Sequence, residues 1–318
     1  MARFTDLLLC RTQDDDAAVR RVARLAAATG ADLTLADVVE DVPPLARRLL
    51  PRSWNLPALV RAQKQAELER GAGVAARLGV RARVALLKGS PIRALMREVV
   101  SGGHDLLVVS AAPSGTVPCI GASAARLLRE CPCPVLLLHP TRPRRRPRVL
   151  VSVDAGPWVA DGADALTAKL FACARWFAEA HGGEVHVLHA WTPFGERLLR
   201  GGGLADAEVQ QFVASMHEQT YQDLERAIAP FREHVAPGGV HLVQGDPKHV
   251  IADFATTHQI DLLVVGTVGR SGVAARIVGN TAESVLGQLP CSMLVVKPDA
   301  GTSRRARATR ASSASPVS

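Results

Sequence analysis

A chain of 318 residues is too long for one ordinary domain and suits two of about 150 residues. Hydrophobic residues make up 47% of it and aromatics only 4%, so its core must be built from Val, Leu, Ile and Ala, as buried parallel strands and their covering helices are. The net charge of +8 sits in two acid-free stretches, TRPRRRPR (141–148) with five Arg and 301–318 with four; without those nine the remainder carries −1. No aromatic residues are interleaved there to stack on bases, so specific nucleic-acid binding is not expected, and weak phosphate contacts are the most such stretches offer.

The start, MARFTDLLLCRTQDDD, has one Arg ahead of a short apolar run and then three acids, which suits neither a signal peptide nor a membrane span. No later apolar run reaches the roughly 18 residues a span needs, so a soluble cytoplasmic protein is expected. Cysteines fall at 10, 119, 131, 133, 173 and 291 without a CxxC pair, and read as free thiols in a reducing compartment.

From the first residue onward, strands are expected near 5–10, 33–38, 82–87, 105–110 and 134–139, with helices near 15–29, 55–78, 91–101 and 121–130. After the Arg/Pro linker, strands follow near 148–154, 184–191, 240–244, 261–266 and 292–297, with helices near 161–181, 205–235, 247–258 and 280–289. Each half thus alternates strand and helix, which predicts two tandem doubly wound, mostly parallel five-stranded α/β sheets. The domains expected are 1–140, a linker at 141–147, 148–298, and a disordered Ser/Arg tail at 299–318.

The halves repeat one another. KGSP (88–91) answers QGDP (244–247), and HDLLVVS (104–110) answers IDLLVVG (260–266), both at an offset of 156. Near the ends ECPCPVLLLHP (130–140) answers QLPCSMLVVKP (288–298) at an offset of 158. The two-residue difference falls in VVGTVGRSGVAARIVGNT (264–281), where Gly266, Gly269 and Gly279 are spaced G-x2-G-x9-G and followed by Asn280 and Thr281. Glycine after a buried strand admits close backbone approach, a glycine turn can aim N–H groups at an anion, and a helix N-terminus favours phosphate. The same residues would also serve a tight strand-to-helix turn. Arg270 and Arg276 bracket the loop and are secondary candidates for neutralising a triphosphate.

The loop is neither a Walker A motif nor the dinucleotide fingerprint, because it follows a fourth strand. On this glycine spacing and the repeat, the chain resembles the universal stress protein family over residues 3–298, most closely its tandem E-type branch. The resemblance implies the adenine nucleotide alpha hydrolase-like fold and an adenine nucleotide site in the second half. Asp154, at the end of the strand VLVSVDAG, would meet ribose or a nucleotide-bound Mg2+; Ala190 in VLHAW would offer backbone to the adenine. Gly266 would lie by the ribose, and Gly269, Gly279, Asn280 and Thr281 would surround the phosphates of ATP, ADP or AMP. It also implies a role in stress response and DNA-damage tolerance, homodimers and regulatory protein partners.

In the first half Ser110 and Pro113 replace Gly266 and Gly269, and the first strand ends Leu9-Cys10-Arg11-Thr12 without an acid, so no nucleotide is expected there. Rival readings are a slow ATPase using a metal at Asp154 and a scaffold that takes a lipid-like ligand. No nucleophile elbow is present. His186 and His189, three apart on a strand, should point to opposite faces and are read as core or edge residues rather than a metal pair. Cys131 and Cys133 are read as structural thiols, and Gly201 to Gly203 as a flexible loop or lid hinge.

Overall fold

Runs such as Leu7-Leu8-Leu9 or Leu262-Leu263-Val264, apolar at every position, cannot turn a polar face to water and suit strands covered on both sides. The computed structural model, which describes residues 3–11, 16–40, 55–110, 122–141, 143–155, 163–202, 205–266 and 289–298, uses them in this way. In chain order the elements are β1 (Asp6–Cys10), α1 (Asp16–Thr29), β2 (Asp32–Val39), α2 (Leu56–Ala76), β3 (Ala82–Lys88), α3 (Pro91–Gly102), β4 (Leu106–Ser110), α4 (Ala122–Glu130) and β5 (Val135–Leu138). There follow β6 (Arg148–Ser152), α5 (Ala163–His181), β7 (Glu184–Trp191), α6 (Glu196–Gly201), α7 (Asp206–Ile228), a 3-10 turn at Ala229–His234, β8 (Val240–Gln244), α8 (Pro247–Thr257), β9 (Leu262–Gly266) and β10 (Ser292–Val296).

One compact unit holds Arg3–Arg142 and Ser292–Val295, and the other is built on Pro143–Cys291. In the first, parallel strands run in the order β3-β2-β1-β4-β5, and β10 lies antiparallel beside β5, pairing Leu294 with Leu136. The second has parallel strands in the order β9-β6-β7-β8. Strand order therefore reverses between β1 and β4 in one unit and between β6 and β9 in the other. In such sheets ligands bind beyond the carboxyl ends of the strands that flank the reversal.

An acid before the fourth strand of each unit fastens the sheet. Asp105 accepts from Thr5 N (2.7 Å), Thr5 Oγ1 (2.8 Å) and Asp6 N (3.0 Å) at the start of β1. Asp261 does the same for β6, accepting from Arg144 N (3.0 Å) and Arg148 N (2.9 Å). The helix entries follow the sequence: Ser90 and Asp246 stand before Pro91 and Pro247 with extended backbones. Only Asp246 caps with its side chain, accepting from Lys248 N at 2.9 Å; Ser90 makes no such bond.

Two expectations need amendment. A six-residue helix, α6, stands where a loop was expected, entered by Gly195 at φ 77° and ending at Gly201. The helix expected over 205–235 stops at Ile228 and tightens into a 3-10 turn, because Pro230 has no N–H to continue the ladder. The helix expected near 280–289 lies outside the described residues but for Leu289, which is not helical.

Candidate functional site

At the carboxyl edge of the second unit, Ser152 pairs with Leu188 on one side and Val265 on the other. Val153 continues the ladder one step further, its N–H donating to Leu188 O at 3.0 Å. Val153, Asp154 and Ala155 consequently leave the sheet beside His189 and Ala190 of β7 and Gly266 of β9. Of the residues read from the sequence as nucleotide contacts, Asp154 and Gly266 come to the strand ends flanking the reversal, and Ala190 lies near the end of the neighbouring β7. Ala190 and Ala155 are buried, whereas Asp154 is only partly so.

His189 shapes this edge and was read from the sequence only as a core or edge residue. It is buried at 1% exposure, and its Nδ1 stands 3.0 Å from Val153 O and 3.4 Å from Ala155 N. With a proton on Nδ1 the ring donates to the carbonyl; without one it accepts from the amide. Either tautomer ties the ring to the backbone next to Asp154, on one side or the other. His189 and His186 face different surroundings, as their spacing requires: the His186 ring lies against His241, with Nδ1 3.4 Å from His241 Nε2.

Gly266 has a packing reason of its own. A Cβ there would stand 2.8 Å from Leu166 Cδ2 on α5, so any other residue would require the Leu166 side chain to turn away. Gly269, Arg270, Arg276, Gly279, Asn280 and Thr281 lie outside the described residues. Among the described residues no three His, Cys, Asp or Glu side chains converge on one point as a metal centre.

The first unit places different chemistry on the same backbone. Arg11 takes the position of Val153, its N–H donating to Ala36 O at 2.9 Å, and its guanidinium is buried at 4% exposure. Nη1 donates to Glu67 O on α2 at 2.6 Å and Nη2 lies 3.7 Å from Asp16. Gly71 makes the room, since a Cβ there would stand 2.5 Å from Arg11 Nη1. Asp37, at the position of His189, pairs with Lys64 Nζ at 2.6 Å. Beside them burial, reinforced by the Asp37 charge, pushes the Cys10 thiol up to about 12. Side chains of the unit itself fill the strand ends.

Elsewhere, Cys131 and Cys133 are buried free thiols with sulfurs 3.6 Å apart. Their mutual hydrogen bond and burial push the Cys133 thiol far up, which disfavours the reactive thiolate. No helix among the described residues is long and apolar enough to cross a membrane.

Two parallel doubly wound sheets in one chain, each with a strand-order reversal, define the class: a tandem doubly wound α/β protein. The family model described as "Universal stress protein family" matches residues 10–139 and 148–297; the chain belongs to that family. It is 31% identical over 220 residues to universal stress protein E of Escherichia coli K12, covering 66% of each chain. The match thus spans just under two thirds of that relative's length. Universal stress protein E of Photorhabdus laumondii is 25% identical over 94% of this chain and 96% of its own. A universal stress protein structure from Pseudomonas aeruginosa shares the fold with TM-score 0.62 at 21% identity, covering 96% of this chain and 98% of that one.

Proposed function

We propose that the second unit binds an adenine nucleotide at the carboxyl ends of β6, β7 and β9, and that the chain acts as a stress-response sensor or regulator rather than as a committed enzyme. The observation that supports this most is the contrast between the two strand-order reversals. In the second unit an acid, a backbone edge and a glycine strand end meet where such folds take ligands, and His189 holds the loop that presents the acid. In the first unit Arg11 and the Asp37–Lys64 pair occupy that place. Asp154 would meet the ribose or a nucleotide-bound Mg2+, and Ala190 would offer backbone to the base. Gly269, Gly279, Asn280 and Thr281 would hold the phosphates.

A ligand that binds only the folded form stabilises it, by about 2.7 kcal/mol at a hundredfold excess over Kd. Thermal unfolding with ATP, ADP and AMP, each with and without Mg2+, should therefore raise the midpoint by several degrees, and Asp154→Ala should reduce the rise. No shift with any of the three at millimolar concentration would remove the nucleotide reading. Steady phosphate release that Asp154→Ala abolishes would turn it into an ATPase.

A further inference from the structure

At the opposite, amino-terminal end of the second unit's strands, three histidines gather away from the nucleotide crevice. His186 lies near the start of β7 and His241 near the start of β8. Because His241 pairs with Leu188, and Leu188 shares a sheet face with His186 two residues earlier, both rings lie on one face. Helix α8 covers that face: the His241 ring centroid is 4.7 Å from Phe254 and 5.6 Å from His258, which itself stacks on Phe254 at 3.9 Å.

The two strand histidines turn nitrogens toward each other, His186 Nδ1 and His241 Nε2, at 3.4 Å. That is long for a hydrogen bond between two ring nitrogens. It matches two ligands of one tetrahedral ion, which at bond lengths of about 2.0–2.1 Å stand about 3.4 Å apart. The other nitrogen of His186, Nε2, is buried without a hydrogen-bond partner, and Glu184 Oε2 stands 3.7 Å from it. A carboxylate behind the far nitrogen is the arrangement that orients a metal-bound imidazole and raises its basicity. Arg148 opposes a cation here by its charge, but its Nη1 is engaged by His258 O at 3.0 Å.

We propose that His186 and His241 form a two-histidine binding site for a borderline divalent cation of the zinc, nickel and copper class, with Glu184 as the positioning carboxylate. Imidazole pairs favour these ions over Mg2+ and Ca2+. No third ligand side chain converges on the point among the described residues, so water completes the coordination. The site is independent of the nucleotide reading, being at the other end of the strands.

The test uses untagged full-length protein and the metal alone. Calorimetric titration with Zn2+ should give one site per chain. His186→Ala and His241→Ala should each weaken it by tenfold or more, Glu184→Gln should weaken it about tenfold, and His258→Ala should leave it unchanged. Absence of binding to the wild type, or binding indifferent to His241→Ala, would overturn the proposal. Should the histidine variants unfold, paramagnetic resonance of the Cu2+-loaded wild-type chain decides: nitrogen splitting from two imidazoles supports the site, and from none or one sinks it.

Discussion

The carboxyl ends of β1 and β6 share a backbone course and differ in what they place there. The N–H of Arg11 and that of Val153 make the same ladder bond to the neighbouring strand. Beyond that bond, one unit places a buried guanidinium and an ion pair, while the other has the small apolar Val153 at the same position. A repeat can therefore keep a fold while changing what its strand ends hold, through exchanges at two or three positions around the strand-order reversal. Stability then rests on new partners, since a buried charge persists only when paired and hydrogen-bonded.

The comparison breaks hardest if the crevices are exchanged. Val153→Arg places a guanidinium in a spot at 6% exposure without the Glu67 carbonyl and Gly71 gap that receive Arg11. It should cost the second unit about 4 kcal/mol, read by urea unfolding, and should abolish any nucleotide-dependent shift. A cost under about 1 kcal/mol would show that the second crevice already has a receptor for the charge.

A smaller effect is expected from giving the second unit the first unit's residue at the end of its fourth strand. Gly266→Ser would press a Cβ onto Leu166 and destabilise by about 2 kcal/mol. Leu166→Ala in the same chain should recover part of that loss, a coupling that a double-mutant cycle measures. Additive costs would mean that Leu166 is not what requires glycine.

The mildest contrast is in acid. Burial depresses the pKa of His241 to about 4 and lowers that of His186, whereas Ala85 and Thr34 stand at the matching places of the first unit. Between about pH 6.5, where unfolded histidine titrates, and about 4, the unfolded second unit binds more protons than the folded one. Its stability should therefore fall as pH drops through that window. The first unit has one histidine, His139, shifted in the same direction. Hydrogen exchange resolved by unit should show the second losing protection first, and His241→Phe should narrow the gap.

Most of the architecture was legible because parallel strands need apolar residues on both faces, and runs such as LLLC, LLVVS and RVLVS leave no other role. The Pro91 and Pro247 entries were equally plain. Helix α6 was hidden because six residues with Leu198 at 77% exposure carry no helical stripe, and its glycines read as loop. At the site, Asp154 and Ala190 could be placed at strand ends from the pattern alone. The role of His189 could not, because it depends on the register that sets Val153 beside Leu188. Gly266 was read as open backbone, and only the packing of α5 supplies Leu166 as its neighbour. The acids of HDLLVVS and IDLLVVG carry no mark of their role in the sequence, because the amides they bind are distant in the chain.

That distance has a kinetic side. Asp105 reaches Thr5 across 100 residues and Asp261 reaches Arg144 across 117. Neither clasp can close until the first strand of its unit has waited for the fourth to be made. Loop-closure entropy must be met before such contacts return anything, which slows folding. As each unit emerges during synthesis, its first strand, completed early, stays unfastened until the acid ahead of the fourth arrives. The order of the chain thus makes the last central strand to be made the one that locks the first.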